Sequence, residues 1–373
     1  MIQRIIFANK NYNDLALYIQ KQQCKRMLLV HGASMNQMEI GNFFKQIPHD
    51  MGIEVFEFTD YQPNPCIESC IAGTRYCLEH DCDLIVACGG GSAIDVAKCI
   101  RLFRECDMKQ DDFWLHLLPG KLPFIAIPTT AGTGSEATHF AVAYVNGKKI
   151  SVAEKNNLPQ AVVFLPESLK GLPAKQRAAT YLDAFCHCIE SLWSNKATAE
   201  SRVYAMEALR ILRGAETYLW EGGAEYYQAM LLAAHYAGCA INISQTTAAH
   251  AMCYKLTSLF SIPHGMAAGV CLLYVWEYML DKLEQGVIID KLEDIFNDIV
   301  VALDVDDISS GINFLRNMLV RCDCLPLPIH EYHNEMLAEL VDSVNTQRMA
   351  NHPLQLNKID FGLLYERILK GRC

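Results

Sequence analysis

The chain has 373 residues, room for one large or two ordinary domains with a substantial core. It is 51% apolar and 20% charged with a net charge of −10, a balance that suits a globular protein and argues against a basic nucleic-acid-binding surface. Its sixteen cysteines are scattered without a small-domain framework, the Met1-Ile2-Gln3-Arg4 start opens straight into a strand-like run, and no long uncharged apolar stretch occurs; reduced thiols in a cytoplasmic protein with no signal peptide and no membrane span are expected.

In chain order, short apolar runs at residues 4–7, 27–30, 53–58, 84–87 and 124–127 predict strands, separated by amphipathic stretches such as 14–22 and 67–78 that predict helices. Strands alternating with helices predict a doubly wound parallel sheet. Residues 140–145 and 149–152 flank Asn146-Gly147, the dipeptide that favours a two-residue hairpin turn, and a last apolar run, 161–165, ends at Pro166. Beyond Gly171-Leu172-Pro173 the strand pattern fades. Helical periods at 175–193, 199–213, 224–243 and 287–303 take over. The expected organisation is therefore an α/β domain over residues 1–172 and an all-helical domain over 173–373. A cleft between two such domains is a common place for a ligand.

Two loops are candidates for phosphate binding. The run at 84–87 passes through Cys88 into Gly89-Gly90-Gly91-Ser92 and a helix start at Ala93-Ile94-Asp95. Three glycines let the backbone approach a ligand closely, and a helix N-terminus offers free N–H groups to a pyrophosphate. Ser92 and Asp95 have the spacing of a reciprocal cap. A tight structural turn would use the same glycines, and the G-x-G-x-x-G fingerprint is absent. The second loop, Pro128-Thr129-Thr130-Ala131-Gly132-Thr133-Gly134-Ser135-Glu136, follows the next strand and is dense in hydroxyls. Loops at adjacent strand ends converge at the mouth of an open α/β sheet.

In the helical half, Asp183 and His187 are four residues apart and project from one helix face. His250 and His264 lie further on, fourteen residues apart. One carboxylate and three imidazoles would make a mixed N/O site for a divalent metal. Spacing alone equally allows an ordinary i,i+4 surface pair and unrelated histidines among the twelve present.

Together, Gly89-Gly90-Gly91-Ser92-Ala93-Ile94-Asp95, the Pro128-to-Glu136 loop, Asp183-Ala184-Phe185-Cys186-His187-Cys188-Ile189-Glu190 and His250 with His264-Gly265 resemble, in order and spacing, the iron-containing (group III) alcohol dehydrogenase family over nearly the whole chain. The resemblance implies a dehydroquinate synthase-like two-domain architecture, a homodimer, and an enzyme that moves a hydride between NAD or NADP and a small aldehyde or alcohol. It places Asp183, His187, His250 and His264 as the metal ligands and catalytic set, with Fe²⁺ as the family metal; an N/O donor set intrinsically favours Zn²⁺. It places the cofactor against Asn64, Gly89, Gly90, Gly91, Ser92, Asp95, Thr129, Thr130, Thr133, Ser135 and Lys149.

Two departures stand out. Where many relatives carry an acidic residue after the second strand to bind the adenosine ribose, this chain has His31-Gly32-Ala33-Ser34, so a 2′-phosphate would not be repelled there. Where many carry a histidine four residues after the third ligand, it has Tyr254, so a proton relay through that position is not implied. The segments 135–142, 145–148 and 344–348 are similar to phosphonoacetaldehyde reductases, which implies His139 and Arg348 as phosphonate contacts. The alternatives are a general short-chain alcohol dehydrogenase of butanol or propanediol type, a dehydroquinate synthase-like lyase, and a catalytically silent nucleotide-binding protein.

Overall fold

The structure, a computed structural model, describes residues 3–8, 11–109, 112–287, 289, 291–327, 332–344 and 349–371. The chain divides into two compact units, Met1–Gly171 and Leu172–Cys373.

The first unit is built on six parallel strands: β1 (Arg4–Phe7), β2 (Arg26–His31), β3 (Glu54–Phe58), β4 (Leu84–Gly89), β5 (Phe124–Pro128) and β8 (Ala161–Phe164), in the order β1-β8-β5-β4-β2-β3. Neighbouring side chains alternate between two cores, which explains the unbroken apolar runs of the central strands. Leu28, Val30, Ile85 and Ala87 join one cluster with Cys70, Ile94 and Phe103. Met27, Leu29, Val86 and Cys88 join the other with Leu15, Ile40 and Phe44. A parallel sheet covered on both faces needs such continuous hydrophobic strands. Helices α1 (Asn13–Lys21) and α2 (Glu39–Met51) supply the second cluster's cover; α3 (Ile67–Glu79) and α4 (Gly91–Phe103) supply the first's.

The chain winds outward from β2 to β3, then returns past β2 to β4 and runs the other way through β5 and β8. The direction of winding therefore reverses between β2 and β4, and ligands of open α/β sheets bind at such a reversal, beyond the strand carboxyl ends. Strands β6 (Phe140–Val145) and β7 (Lys148–Ala153) form a separate antiparallel hairpin with Val145 opposite Lys148. Its turn residues, Asn146 and Gly147, have φ of 49° and 74°. The Asn-Gly expectation thus holds, both positions being left-handed as that turn requires.

The second unit holds only helices among its described elements: α5 (Ala174–Trp193), α6 (Ala199–Ala215), α7 (Ala224–Ser244), α8 (Ala248–Phe260), α9 (His264–Glu284), α10 (Leu292–Leu303), α11 (Ile308–Arg321), α12 (Asn334–Asp342) and α13 (Lys358–Lys370). Helix α9 is buried along nearly its whole length, from Gly265 to Trp276, with Trp276 edge-on to Trp193 of α5. The helix expected over 287–303 starts later, at Leu292, after Lys291 takes a left-handed φ of 57° that ends any helical path upstream. No disulfide joins the cysteines of the described residues, and none of the described helices is long and apolar enough to cross a membrane.

Candidate metal centre and nucleotide loops

Helix α5 presents Asp183 and His187 one turn apart, both buried. Helix α8 brings His250 on its first turn and α9 starts on His264. The Nε2 atoms of His187, His250 and His264 lie 3.8, 3.4 and 3.9 Å from a single oxygen, Asp183 Oδ1. The ligand atoms of Asp183, His187 and His250 all fall within 4.8 Å of one another. The His187 and His250 rings stack with centroids 4.6 Å apart. His264 approaches from the more open side, its side chain 36% exposed.

Glycine makes that fourth approach feasible. A Cβ at Gly265 would overlap the Ala179 carbonyl oxygen on α5, so only a bare Cα lets α9 begin this close to Asp183. Tyr254 stacks on the His264 ring at 5.4 Å and 12°.

Behind His250 stands a group to which the sequence reading assigned no role, although it lies in the quoted motif. Glu190 is fully buried, and its Oε2 is tightly bonded to His250 Nδ1. Its Oε1 accepts from the Thr247 amide at 2.9 Å, the Thr247 hydroxyl at 2.8 Å and the His250 amide at 3.3 Å. One carboxylate thus caps the start of α8 and orients the imidazole. The available signal was helical phase: Glu190 is seven residues beyond Asp183 and three beyond His187, hence on their face of α5.

The electrostatics are those of a cation site. Burial acts to raise the Asp183 carboxyl, but the facing imidazoles, His187 foremost, hold it well below the usual carboxylate range. Burial likewise acts to raise Glu190, and His250 outweighs it, bringing the carboxyl to about 2. Burial acts to lower His250, yet the two carboxylates, Glu190 foremost, push it up to about 8. Buried carboxylates need positive partners, and here the imidazoles face them. Tetrahedral ligands with bonds of about 2.1 Å sit roughly 3.4 Å apart, close to the separations seen here. Asp183, His187 and His250 could therefore hold one divalent ion, with His264 Nε2 3.9 Å from the same carboxylate oxygen on the open side and Glu190 bonded to the far nitrogen of the His250 ring.

In the first unit, the two loops interlock. The Thr129 amide donates to the Gly89 carbonyl at 3.0 Å. A Cβ on Gly90 would lie 3.2 Å from Thr130 Oγ1, and one on Gly91 3.1 Å from Thr133 Oγ1. The glycines therefore admit the second loop's threonines. The expected Ser92–Asp95 cap does not form: α4 is capped by Gly90 with no side-chain bond. Asp95 instead accepts from Ser135 Oγ in the second loop at 2.6 Å and from the Val142 amide of the hairpin at 3.1 Å. Nearby Lys98, fully buried, donates to the Ser135 and Phe140 carbonyls at 2.6 Å each and is pushed down by burial to about 8. Asp95 and Ser135 thus tie the loop to the hairpin, while the first-turn amides of α4 are left to no side chain.

Asn64 takes a left-handed φ of 58°. The next residue's carbonyl, on Pro65, accepts from the Tyr144 amide, and Tyr144 pairs across the hairpin with Lys149, so the Asn64 turn and Lys149 are linked through β6. At the end of β2, His31 is buried, with Nε2 3.2 Å from Glu57 of β3, so a carboxylate does stand near this strand end, on the neighbouring strand. His139 lies in the first unit with its ring tilted by 39° against that of Phe140, centroids 3.9 Å apart. Arg348 lies outside the described residues, so the proposed phosphonate pair is not placed.

The profile of the iron-containing alcohol dehydrogenases matches residues 3–166, and that of the Fe-containing alcohol dehydrogenase C-terminal region matches residues 177–368. An NADPH-dependent butanol dehydrogenase from Clostridium saccharobutylicum is 28% identical over 93% of this chain and 92% of its own. A 1,3-propanediol dehydrogenase from Klebsiella pneumoniae is 31% identical over 69% of this chain and 68% of its own. Among solved structures, a sulfoacetaldehyde reductase from Bifidobacterium kashiwanohense in complex with NAD⁺ superposes with a TM-score of 0.85 at 23% identity, covering 98% of this chain and 97% of the other. An iron-containing alcohol dehydrogenase from Thermococcus thioreducens superposes with a TM-score of 0.88 at 22% identity over 99% of both chains.

Proposed function

Since this chain belongs to the iron-containing alcohol dehydrogenase family, we propose that it is a metal-dependent, NAD(P)-linked oxidoreductase that interconverts a small aldehyde and its primary alcohol. The observation that carries this reading is the convergence of three imidazole Nε2 atoms on Asp183 Oδ1, with Glu190 behind His250. When bound, a divalent ion (Fe²⁺ by family, Zn²⁺ by donor preference) would supply Lewis acidity at the substrate oxygen and the nicotinamide a hydride. Asp183 contributes the one full negative charge among the ligands. Glu190 accepts the Nδ1 proton of His250, which turns Nε2 toward the ion and makes it a better donor. Burial of both carboxylates keeps water from competing for their charge.

In the first unit, the glycine turn, Thr129, Thr130 and Thr133 would receive the cofactor pyrophosphate at the open N-terminus of α4, with Asn64 and Lys149 as further contacts. Asp95 and Ser135 would act there by holding the loop. No strand-end carboxylate follows β2 itself, and Glu57 is already engaged by His31, which supports use of either NAD or NADP. A homodimer is the expected assembly.

Within this class we propose phosphonoacetaldehyde, reduced to 2-hydroxyethylphosphonate, as the substrate, on the likeness of the segments around His139 and Arg348. A dianion needs charge-assisted donors, which a histidine and an arginine provide. A short-chain dehydrogenase of butanol or propanediol type is the second reading, favoured by the named relatives. The test compares kcat/KM for phosphonoacetaldehyde, propanal and lactaldehyde with both cofactors, in wild type and Arg348→Ala. The phosphonate is expected to win by more than tenfold and to lose that lead in Arg348→Ala. Preference for the neutral aldehydes would select the second reading.

A further inference from the structure

Beside Glu190 in the second unit lies a buried polar corner with no part in the chemistry above. Gln245, which ends α7, has φ 60° and ψ 171°, a backbone conformation that is essentially reserved for glycine. Such a conformation persists only where its surroundings hold it. Asn351 does much of this holding: its Nδ2 donates to Gln245 Oε1 at 3.0 Å and the Thr246 carbonyl at 3.4 Å. Lys196 Nζ donates to the same Oε1 at 2.7 Å. Asn195 secures the segment in turn, its amide donating to the Asn351 carbonyl at 2.7 Å and its Nδ2 to the His352 carbonyl at 2.9 Å. The next residue along the turn is Thr247, which donates twice to Glu190 and accepts from Trp193 Nε1 at 2.8 Å.

Three polar atoms of this corner have no hydrogen-bond partner among the described residues: Asn351 Oδ1 and both ring nitrogens of His352. The two residues are 1% and 2% exposed, and the His352 ring stands edge-on to Trp193. Buried groups of this kind are nearly always satisfied, by protein or by ordered water.

We propose that Asn351 and His352 line an internal water site that fastens the turn at residues 245–247, and that His352 is thereby a positioning residue for Glu190 and His250. The site takes water by its chemistry. Burial pushes the His352 imidazole down to about 4, the Glu190 charge opposing only in part, so the ring is neutral and has one donor and one acceptor. Asn351 Oδ1 only accepts. A cation would suit the unprotonated ring nitrogen and Asn351 Oδ1 but leave the ring N–H unmatched; an anion would meet a single donor and the Glu190 charge. Water alone offers two donors and two acceptors, the mixed set these atoms need. Loss of that water would leave Asn351 half-satisfied and loosen the turn whose threonine orients Glu190.

The water site stands on the polar atoms alone; its effect on the metal centre rests on the metal reading above. The test is a crystal structure that orders solvent, with chelator-competition titrations of Zn²⁺ on wild type, His352→Phe and His352→Gln. Phenylalanine keeps the ring against Trp193 but holds no water; glutamine restores a donor and an acceptor. We expect water within about 3.2 Å of the His352 nitrogens and Asn351 Oδ1. The Zn²⁺ dissociation constant should rise roughly tenfold in His352→Phe and recover most of that in His352→Gln. A protein group on those atoms, or a dry corner, overturns the site. Unchanged Zn²⁺ affinity in His352→Phe overturns the positioning role. Failure of wild type to bind any divalent ion would instead defeat the metal reading, while the crystal structure still decides the water. The wild-type structure also decides should the Phe variant not fold.

Discussion

Single atoms decide the metal centre. Asp183 Oδ1 is faced by three Nε2 atoms, and His250 is useful to an ion only because Glu190 takes its other ring nitrogen. Gly265 is as decisive, although it carries no chemistry. Its Cα faces the Ala179 carbonyl, which is backbone and cannot rotate aside. In Gly265→Ala, α9 must therefore retreat from α5 and take His264 with it. We expect Zn²⁺ or Fe²⁺ affinity to fall at least roughly tenfold, and the metal-free protein to lose about 1–3 kcal/mol through overpacking. Chelator competition and thermal denaturation measure the two effects separately. A variant with wild-type metal affinity would show that the first turn of α9 yields without moving its ligand.

At the scale of elements, the glycine turn and the threonine-rich loop behave as one unit. Gly90 meets the tip of Thr130 and Gly91 the tip of Thr133, while Asp95 and Lys98 bind the hairpin side of the second loop. Packing and ligand approach thus make the same demand on Gly90, and a single substitution does not separate them. Gly90→Val should weaken NAD(P)H binding by more than tenfold and leave metal affinity within twofold, since no metal ligand lies in these loops. Adding Thr130→Gly removes the packing conflict but keeps the branched side chain over the α4 amides. Because Thr130 is itself a proposed cofactor contact, fluorescence titration compares the double variant with Thr130→Gly alone: affinity below that of the single variant means that the turn cradles phosphate, and equal affinity would mean that the glycine serves loop packing alone. The sequence pattern located both loops, because glycine and hydroxyl clusters after apolar strands are local features. It misplaced Asp95, whose partners lie 40 and 47 residues away in sequence. Helix α9 had no distinct signature either: buried nearly all along its length, it shows little of the polar–apolar contrast by which helical periodicity is read.

For the molecule as a whole, the division of labour follows the two units: every metal-ligand candidate lies in Leu172–Cys373 and every loop of the proposed nucleotide site in Met1–Gly171. Asp183→Ala should therefore abolish turnover and metal binding while NAD(P)H still binds with near wild-type affinity. Turnover assays, metal analysis and calorimetric cofactor titration test this together, and full activity in metal-stripped protein would remove the metal from the mechanism. The sequence by itself determined the parallel strands, since strands buried on both faces must be continuous apolar runs, and the hairpin, since Asn-Gly suits a turn with two left-handed residues. Family likeness in four local motifs likewise singled out Asp183, His187, His250 and His264. Only the tertiary structure decided that these four meet, that Glu190 stands behind His250 across sixty residues of chain, and that Gly265 is required by a carbonyl on another helix. Those facts depend on distances between segments remote in sequence. Residue type and periodicity record what a segment can bury, whereas which atoms face one another is settled by how the helices pack.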